Sequence, residues 1–213
     1  MGGSGHDAPP LDRGDPREAR EQALEAQELT ERMDDETEAA FARGLGAIAI
    51  AALHEEGRGE GESEAFAAME EALRVLRELD SLWRIAQIQS YAVDEELRRG
   101  RTDAAPERAE EALEAARALK RPSLLALSRA LLARCGALAG DLDVAERHLS
   151  SPAIPRPDHS LSARARREIE RAQGKIAQAR QEVKRAREVV APADSNGGYI
   201  VDSNGGSPSS STQ

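Results

Sequence analysis

Apolar residues recur three and four positions apart along most of the chain, the spacing that places them on one face of an α-helix. Few residues are β-branched, and Ala, Leu, Glu and Arg are frequent, which also favours helices. Asp15-Pro16 is typical of an N-cap followed by the first helical residue. The pattern predicts helices over residues 16–33, 36–56, 64–79, 82–99, 106–119, 123–139, 142–150, 160–173 and 175–190.

The same composition divides the chain into three parts. Residues 1–14 are rich in Gly, Pro and Asp and are expected to be disordered. Residues 15–190 form one helical domain. Residues 191–213 are rich in Gly, Ser and Asn, contain DSNGG twice, and are expected to be a disordered tail.

A repeat organises the helical domain. Four glycines spaced 43, 40 and 34 residues apart are each expected to end the first helix of a pair: Gly57, Gly100, Gly140 and Gly174. After each glycine come two small or apolar residues four positions apart, on one face of the next helix. These are Met69 and Leu73, Ala109 and Leu113, Ala145 and Leu149, and Ala179 and Val183.

A single helical hairpin cannot cover its own apolar face, whereas stacked hairpins bury a continuous core. The sequence therefore predicts an all-α fold, a right-handed superhelix of about four stacked antiparallel hairpins. An irregular bundle of Ala-rich amphipathic helices is the competing architecture.

The residues resemble the tetratricopeptide repeat (TPR) family. That family has a turn glycine, a small residue five positions later, a large one nine later, Ala at twelve and Pro near seventeen. Gly140, Ala145, Leu149 and Pro157 follow this pattern, although Pro152 stands where Ala is usual. The family's aromatic and Gly-Tyr positions are absent, so the chain looks like the divergent arrays attached to bacterial transcription regulators and serine/threonine kinases.

The resemblance implies a concave groove lined by the first helix of each pair. Carried across from the turn glycines, the implied groove positions are His54, Gln89, Asp94, Arg98, Arg134, Arg164, Glu168 and Arg171. The groove becomes arginine-rich towards the C-terminus, and guanidinium groups pair bidentately with carboxylates. The expected partner is a protein or peptide of acidic character.

Charge is distributed unevenly along this acidic chain. Of the net −10, residues 1–80 carry −13, whereas residues 161–190 carry +5. The basic end has no interleaved aromatic residues, and terminal repeats need a polar outer face, so a cap is favoured over nucleic-acid binding. Opposite charges at the two ends permit weak head-to-tail contacts between copies.

The sequence contains none of the motifs of an enzyme, metal site or cofactor site. Cys135 lies in an apolar run and is interpreted as a buried hydrophobic residue. No stretch approaches 18 apolar residues, and no membrane association is expected; the chain is predicted to be cytoplasmic. Two function classes remain: a protein-interaction adaptor, and a sensory or regulatory module of a bacterial regulator or kinase.

Overall fold

The computed structural model describes residues 9–54, 60–151 and 161–190. Within those ranges the regular elements are all α-helices and no strand occurs, which confirms the all-helical prediction there. In chain order the helices are α1 (Pro10–Arg13), α2 (Pro16–Met33), α3 (Glu36–Leu53), α4 (Glu60–Glu78), α5 (Leu82–Arg98), α6 (Ala105–Leu119), α7 (Pro122–Leu138), α8 (Leu142–Leu149) and α9 (Ala163–Val190). The sequence DSNGG and the rest of the predicted tail lie outside the described residues.

Aspartate caps fix where several helices begin. Asp15, Asp35 and Asp141 each accept a hydrogen bond from the backbone N–H three residues later, at 3.0 Å in all three cases. Each cap satisfies one of the N–H groups that a helix leaves without an internal partner, a contribution of about 1 kcal/mol. Pro16 follows Asp15 as the first residue of α2, as the sequence predicted.

Gly100 and Gly140 follow the ends of α5 and α7 in the left-handed conformation, with φ of 71° and 81°. The prediction that these two glycines separate helices is confirmed. Gly57 lies outside the described residues.

The predicted break at Gly174 is wrong, because α9 runs without interruption from Ala163 to Val190. A single glycine inside a helix costs only about 1 kcal/mol relative to Ala. Continuation of the helix keeps Ile176 buried against α7 and α8. Further along the same helix, Ala179 is half-buried and Val183 is 42% exposed, so this predicted pair does not pack into a core.

The other predicted pairs lie inside the protein, except that Leu149 is half-buried. Met69, Leu73, Ala109 and Leu113 are each 1% exposed or less, and Ala145 is fully buried. Small residues allow the helices to approach closely. A Cβ on Gly44 of α3, for example, would overlap the side chain of Ile88 in α5.

Neighbouring helices along the chain pack against each other, with the most extensive contacts between α2 and α3, α3 and α4, and α5 and α6. Alternate helices also touch: α3 contacts α5, α5 contacts α7, and α7 contacts α9. The larger core cluster joins α5, α6, α7 and α9 through residues such as Val93, Leu113, Leu131 and Ile169. This arrangement brings α5, α7 and α9 side by side.

The N-terminal segment also departs from the prediction. Residues 10–13 form the helix α1, so the expectation of disorder for the whole of residues 1–14 is wrong there. Leu11 packs against the core cluster that contains Ile48 and Tyr91, which gives the short helix an apolar anchor. Residues 1–8 lie outside the described part of the chain.

Candidate partner-binding cavity

A cavity of about 880 Å³ opens where α1 and the ends of α3, α5 and α7 face α9. Seven cationic and four anionic side chains line it, giving a net charge of +3. These charged residues are Asp12, Arg13, Asp94, Glu95, Arg98, Arg134, Arg164, Arg167, Glu168, Arg171 and Lys175. The positive balance makes the cavity attractive to an anionic ligand.

Six of the eight predicted groove residues line this cavity: Asp94, Arg98, Arg134, Arg164, Glu168 and Arg171. Their placement follows the helix register. Asp94 on α5, Arg134 on α7 and Glu168 on α9 are 40 and 34 residues apart, the same intervals that separate the turn glycines. Corresponding positions on three adjacent helices therefore meet at one surface.

The centre of the cavity wall is an ion-pair cluster. The Arg134 guanidinium donates to Glu168 Oε1 at 2.6 Å and to Asp94 Oδ1 at 2.8 Å. Arg171 completes the cluster, with its Nη1 3.3 Å from Glu168 Oε2 and 3.4 Å from Asp94 Oδ2. Two cations and two anions cancel, so these four residues contribute no net charge.

Burial and the neighbouring charges shift the pKa values of these residues in different directions. Glu168 is 3% exposed, and burial raises the pKa of its carboxyl despite the nearby Arg134. Burial also acts to raise the pKa of Asp94, but the attraction of Arg134 outweighs it and the pKa is lowered. Burial opposes the charge of Arg134 itself, and the two carboxylates more than offset this, so the pKa of its guanidinium is raised. Arg134 is therefore a structural residue of the wall.

Gln89 does not line the cavity, contrary to the prediction. It is 2% exposed, donates to Glu111 of α6, and accepts from Arg108 Nη1 at 3.2 Å. Gln89 precedes Asp94 by five residues, which at 100° per residue turns it about 140° away around α5. His54 is also outside the cavity, as the C-cap of α3, where its backbone oxygen accepts from Arg99 at 3.3 Å.

Arg98 lies at the rim of the cavity. Its side chain is half-exposed and pairs with Glu95 one helical turn away, at 2.6 Å. Glu95 is 7% exposed and also pairs with Arg99 at 2.6 Å, so one carboxylate joins a half-exposed arginine to a buried one.

The N-terminal end of the cavity holds a second cluster that the repeat pattern did not reveal. The Asp12 carboxylate lies 3.2 Å from Arg164 Nε and 3.8 Å from Arg167 Nη2, and Tyr91 donates its hydroxyl to Asp12 Oδ1 at 3.0 Å. The Arg164 guanidinium also stacks over the Tyr91 ring, 3.5 Å from its centroid. Burial raises the pKa of Tyr91 to about 12, so the phenol remains a hydrogen-bond donor at neutral pH.

The repeat pattern did not predict three members of this second cluster: Asp12, Tyr91 and Arg167. Asp12 comes from outside the repeat, in a segment whose composition indicated disorder. Arg167 lies one turn from Arg164 on α9, at a position that the groove pattern does not include. The sequence holds one signal that this N-terminal segment docks onto the fold. It is an acidic residue beside a leucine in the Pro-rich stretch Pro9–Asp12.

The described ranges were compared with the requirements of a metal site and of a membrane-spanning helix. They contain no group of three or more His, Cys, Asp or Glu side chains arranged to hold a metal ion. None of the helices in those ranges combines the length and apolar character needed to cross a membrane. Comparison with family models, curated proteins and solved structures gives no match.

Proposed function

We propose that the protein is an interaction module that holds an acidic segment of a partner protein in the cavity between α1, α5, α7 and α9. One observation carries the proposal: a cavity of net charge +3 already holds a carboxylate, that of Asp12, at its most cationic end. A second acidic group would meet the same donors.

The packing supports an architecture suited to this role. We propose that α3–α4, α5–α6 and α7–α8 are stacked hairpins of a TPR-like solenoid, with α9 packed on the last of them. The contacts from α3 to α5, α5 to α7 and α7 to α9 support this reading, as do the left-handed glycines after α5 and α7. In a stack of this kind the first helices line a continuous inner surface.

The charge balance indicates which residues would bind the partner. Arg134 and Arg171 are neutralised by Asp94 and Glu168, so they hold the wall together. The remaining cationic character comes from Arg164 and Arg167, which share Asp12, from Lys175 at the other end, and from Arg13, which pairs with Glu18 outside the cavity. Lys175 contacts Gln178 at 3.4 Å, a neutral partner that a carboxylate can replace.

The spacing of these cations favours an extended or helical peptide with more than one acidic residue. Guanidinium groups grip carboxylates through paired hydrogen bonds, and an ammonium adds a point charge. Charge-assisted contacts of this kind at the edge of a partly open cavity depend on salt concentration.

A titration with a defined probe tests the proposal. A fluorescein-labelled octapeptide of alternating Leu and Asp is added to the full chain, and anisotropy is compared with that of the matching Leu and Asn peptide. We expect the Asp peptide to bind more tightly, and Lys175→Gln to weaken its binding roughly three- to tenfold. Arg180→Gln is the matched control, because Arg180 also lies on α9 but pairs with Glu146 outside the cavity.

Equal affinity for the two peptides, or full binding by the Lys175→Gln protein, would contradict the proposal. A charge reversal at Arg134 is not a suitable probe, since Arg134 is 7% exposed and its loss would disturb the fold.

A further inference from the structure

The donors around Asp12 form a compact carboxylate receptor. Arg164, Arg167 and Tyr91 approach the carboxylate of Asp12 from α9 and α5, at 3.2, 3.8 and 3.0 Å. Arg167 also donates to the backbone oxygen of Asp12 at 3.3 Å. The receptor therefore contacts both the side chain and the main chain of the residue it holds.

Among the described residues, Asp12 is the carboxylate in direct contact with the receptor, while Asp94 attracts Arg164 from a longer distance. Asp12 is the one carboxylate there that pairs with Arg164 or Arg167, and its own side chain is only 12% exposed. Departure of Asp12 would leave two guanidinium groups and a phenol hydroxyl facing the cavity. Such a set of unpaired donors favours replacement of one carboxylate by another.

An apolar pocket lies directly beside the receptor. Leu11 packs against the core cluster of α3 and α5, while its neighbour Asp12 reaches the cations. A second cavity of about 410 Å³, lined by Leu11, Phe41, Leu45 and Tyr91, continues on this side. The site thus selects a leucine and an aspartate in adjacent positions.

The segment that carries Leu11 and Asp12 is short, and its side chains attach it to the fold through the packing of Leu11, the contacts of Asp12 and the ion pair of Arg13 with Glu18. The helix α1 has four residues, none of them buried. Gly14 links it to α2 in the left-handed conformation, with φ of 75° and open space around its Cα. Two backbone hydrogen bonds, from Gly14 and Asp15 back to α1, close this link. Release of the helix therefore requires rotation at Gly14 together with the loss of these side-chain contacts.

From this juxtaposition we infer that Arg164, Arg167 and Tyr91 form a binding site for a Leu-Asp segment, and that α1 is its intramolecular ligand. A partner segment with the same two residues takes the place of α1. The inference rests on the proposed function, since it names the acidic segment that the cavity accepts. It adds a recognition sequence, and it makes partner binding a competition with the chain's own N-terminal helix.

A direct test uses the full chain and a peptide copied from it. The probe is a fluorescein-labelled peptide with the sequence of residues 8–14, APPLDRG, titrated to millimolar concentration because a tethered competitor acts at that effective concentration. The Asp12→Asn protein, in which the intramolecular carboxylate is lost, should bind the probe about tenfold or more tightly than the unaltered protein. A probe with Asn in place of its Asp should lose this affinity.

Two further measurements identify the site. Arg164→Gln, introduced together with Asp12→Asn, should abolish probe binding, whereas Arg180→Gln in the same background should leave it unchanged. Hydrogen exchange of the Asp15 N–H, which bonds to Pro10 O at 2.9 Å, should accelerate in the Asp12→Asn protein as α1 leaves. Circular dichroism checks that each variant retains its helices.

The inference is overturned if Asp12→Asn changes neither probe affinity nor Asp15 exchange, or if Arg164→Gln leaves binding intact. The experiments distinguish failure of this inference from failure of the proposed function. Lys175-dependent binding of the Leu and Asp octapeptide, without any effect of Asp12→Asn, would retain the function and refute α1 as a competitor. Loss of octapeptide binding in every protein would refute the function itself.

Discussion

Replacement of Arg134 by Met should destabilise the protein strongly. Arg134 is 7% exposed and neutralises Glu168, which is 3% exposed, and Asp94. Without it, Glu168 keeps only Arg171 at 3.3 Å, a side chain that is 54% exposed and therefore weakly held. Breaking a buried pair by removing one partner costs about 3–5 kcal/mol, a large part of the 5–15 kcal/mol that stabilises a typical domain.

The cost of Arg134→Met should depend on pH through Glu168. Burial already holds the pKa of this carboxyl above its ordinary value, and loss of Arg134 should raise it further. A carboxyl with a raised pKa in the folded state takes up a proton on folding, so its unfavourable effect appears as the pH rises above about 4.3. The variant should therefore be closest to the unaltered protein at about pH 4 and furthest from it at pH 7.

Urea unfolding followed by circular dichroism at several pH values measures this effect. The double change Arg134→Met and Glu168→Leu should recover most of the loss, because an apolar pair removes the uncompensated charge. Arg180→Met is the matched control and should change stability by less than about 0.5 kcal/mol, since Arg180 is 61% exposed. A loss below about 1 kcal/mol that does not vary with pH would refute the reasoning.

Three further predictions concern packing and accessibility. Gly174→Ala should raise the free energy of unfolding by about 0.5–1 kcal/mol, whereas Gly140→Ala should lower it because φ is 81° there; equal effects in urea unfolding would contradict both backbone assignments. Ala145→Leu should cost about 1–3 kcal/mol and Ala179→Leu almost nothing, since only the first is fully buried; thermal unfolding compares them. Cys135 is 4% exposed, and burial raises the pKa of its thiol to about 12. Iodoacetamide at pH 8 should therefore alkylate it only after unfolding. Rapid alkylation of the native protein, detected by mass spectrometry, would disprove this.

Local signals in the sequence predicted the helices well. The cap at Asp15 and the glycines after α5 and α7 act within a few residues, so their effect can be read directly from the chain, and the structure adds caps at Asp35 and Asp141. Gly174 shows the limit of this reasoning. A glycine permits a turn but does not require one, and burial of Ile176 by two other helices decides that α9 continues.

Part of the candidate site could also be predicted, because three of its members share one register. Asp94, Arg134 and Glu168 come from corresponding turns of adjacent helices, so the repeat interval brings them to one surface. Gln89 lies off this surface for a geometric reason, since helical rotation turns its side chain towards Glu111 of α6. Positions carried over from a family pattern need this rotational check.

The net charge of a cavity cannot be deduced from the number of arginines that line it. The sequence indicated an arginine-rich groove, yet Arg134 and Arg171 are cancelled by carboxylates that the same register delivers. Attraction for an acidic partner must then come from cations outside this pairing. Arg164 and Arg167 meet that condition, because their carboxylate comes from the short helix α1 and not from the helices of the stack. The residues that stabilise the wall and the residues proposed for recognition are therefore different, although Glu168 and Arg171 lie within two turns of Arg164 and Arg167 on α9.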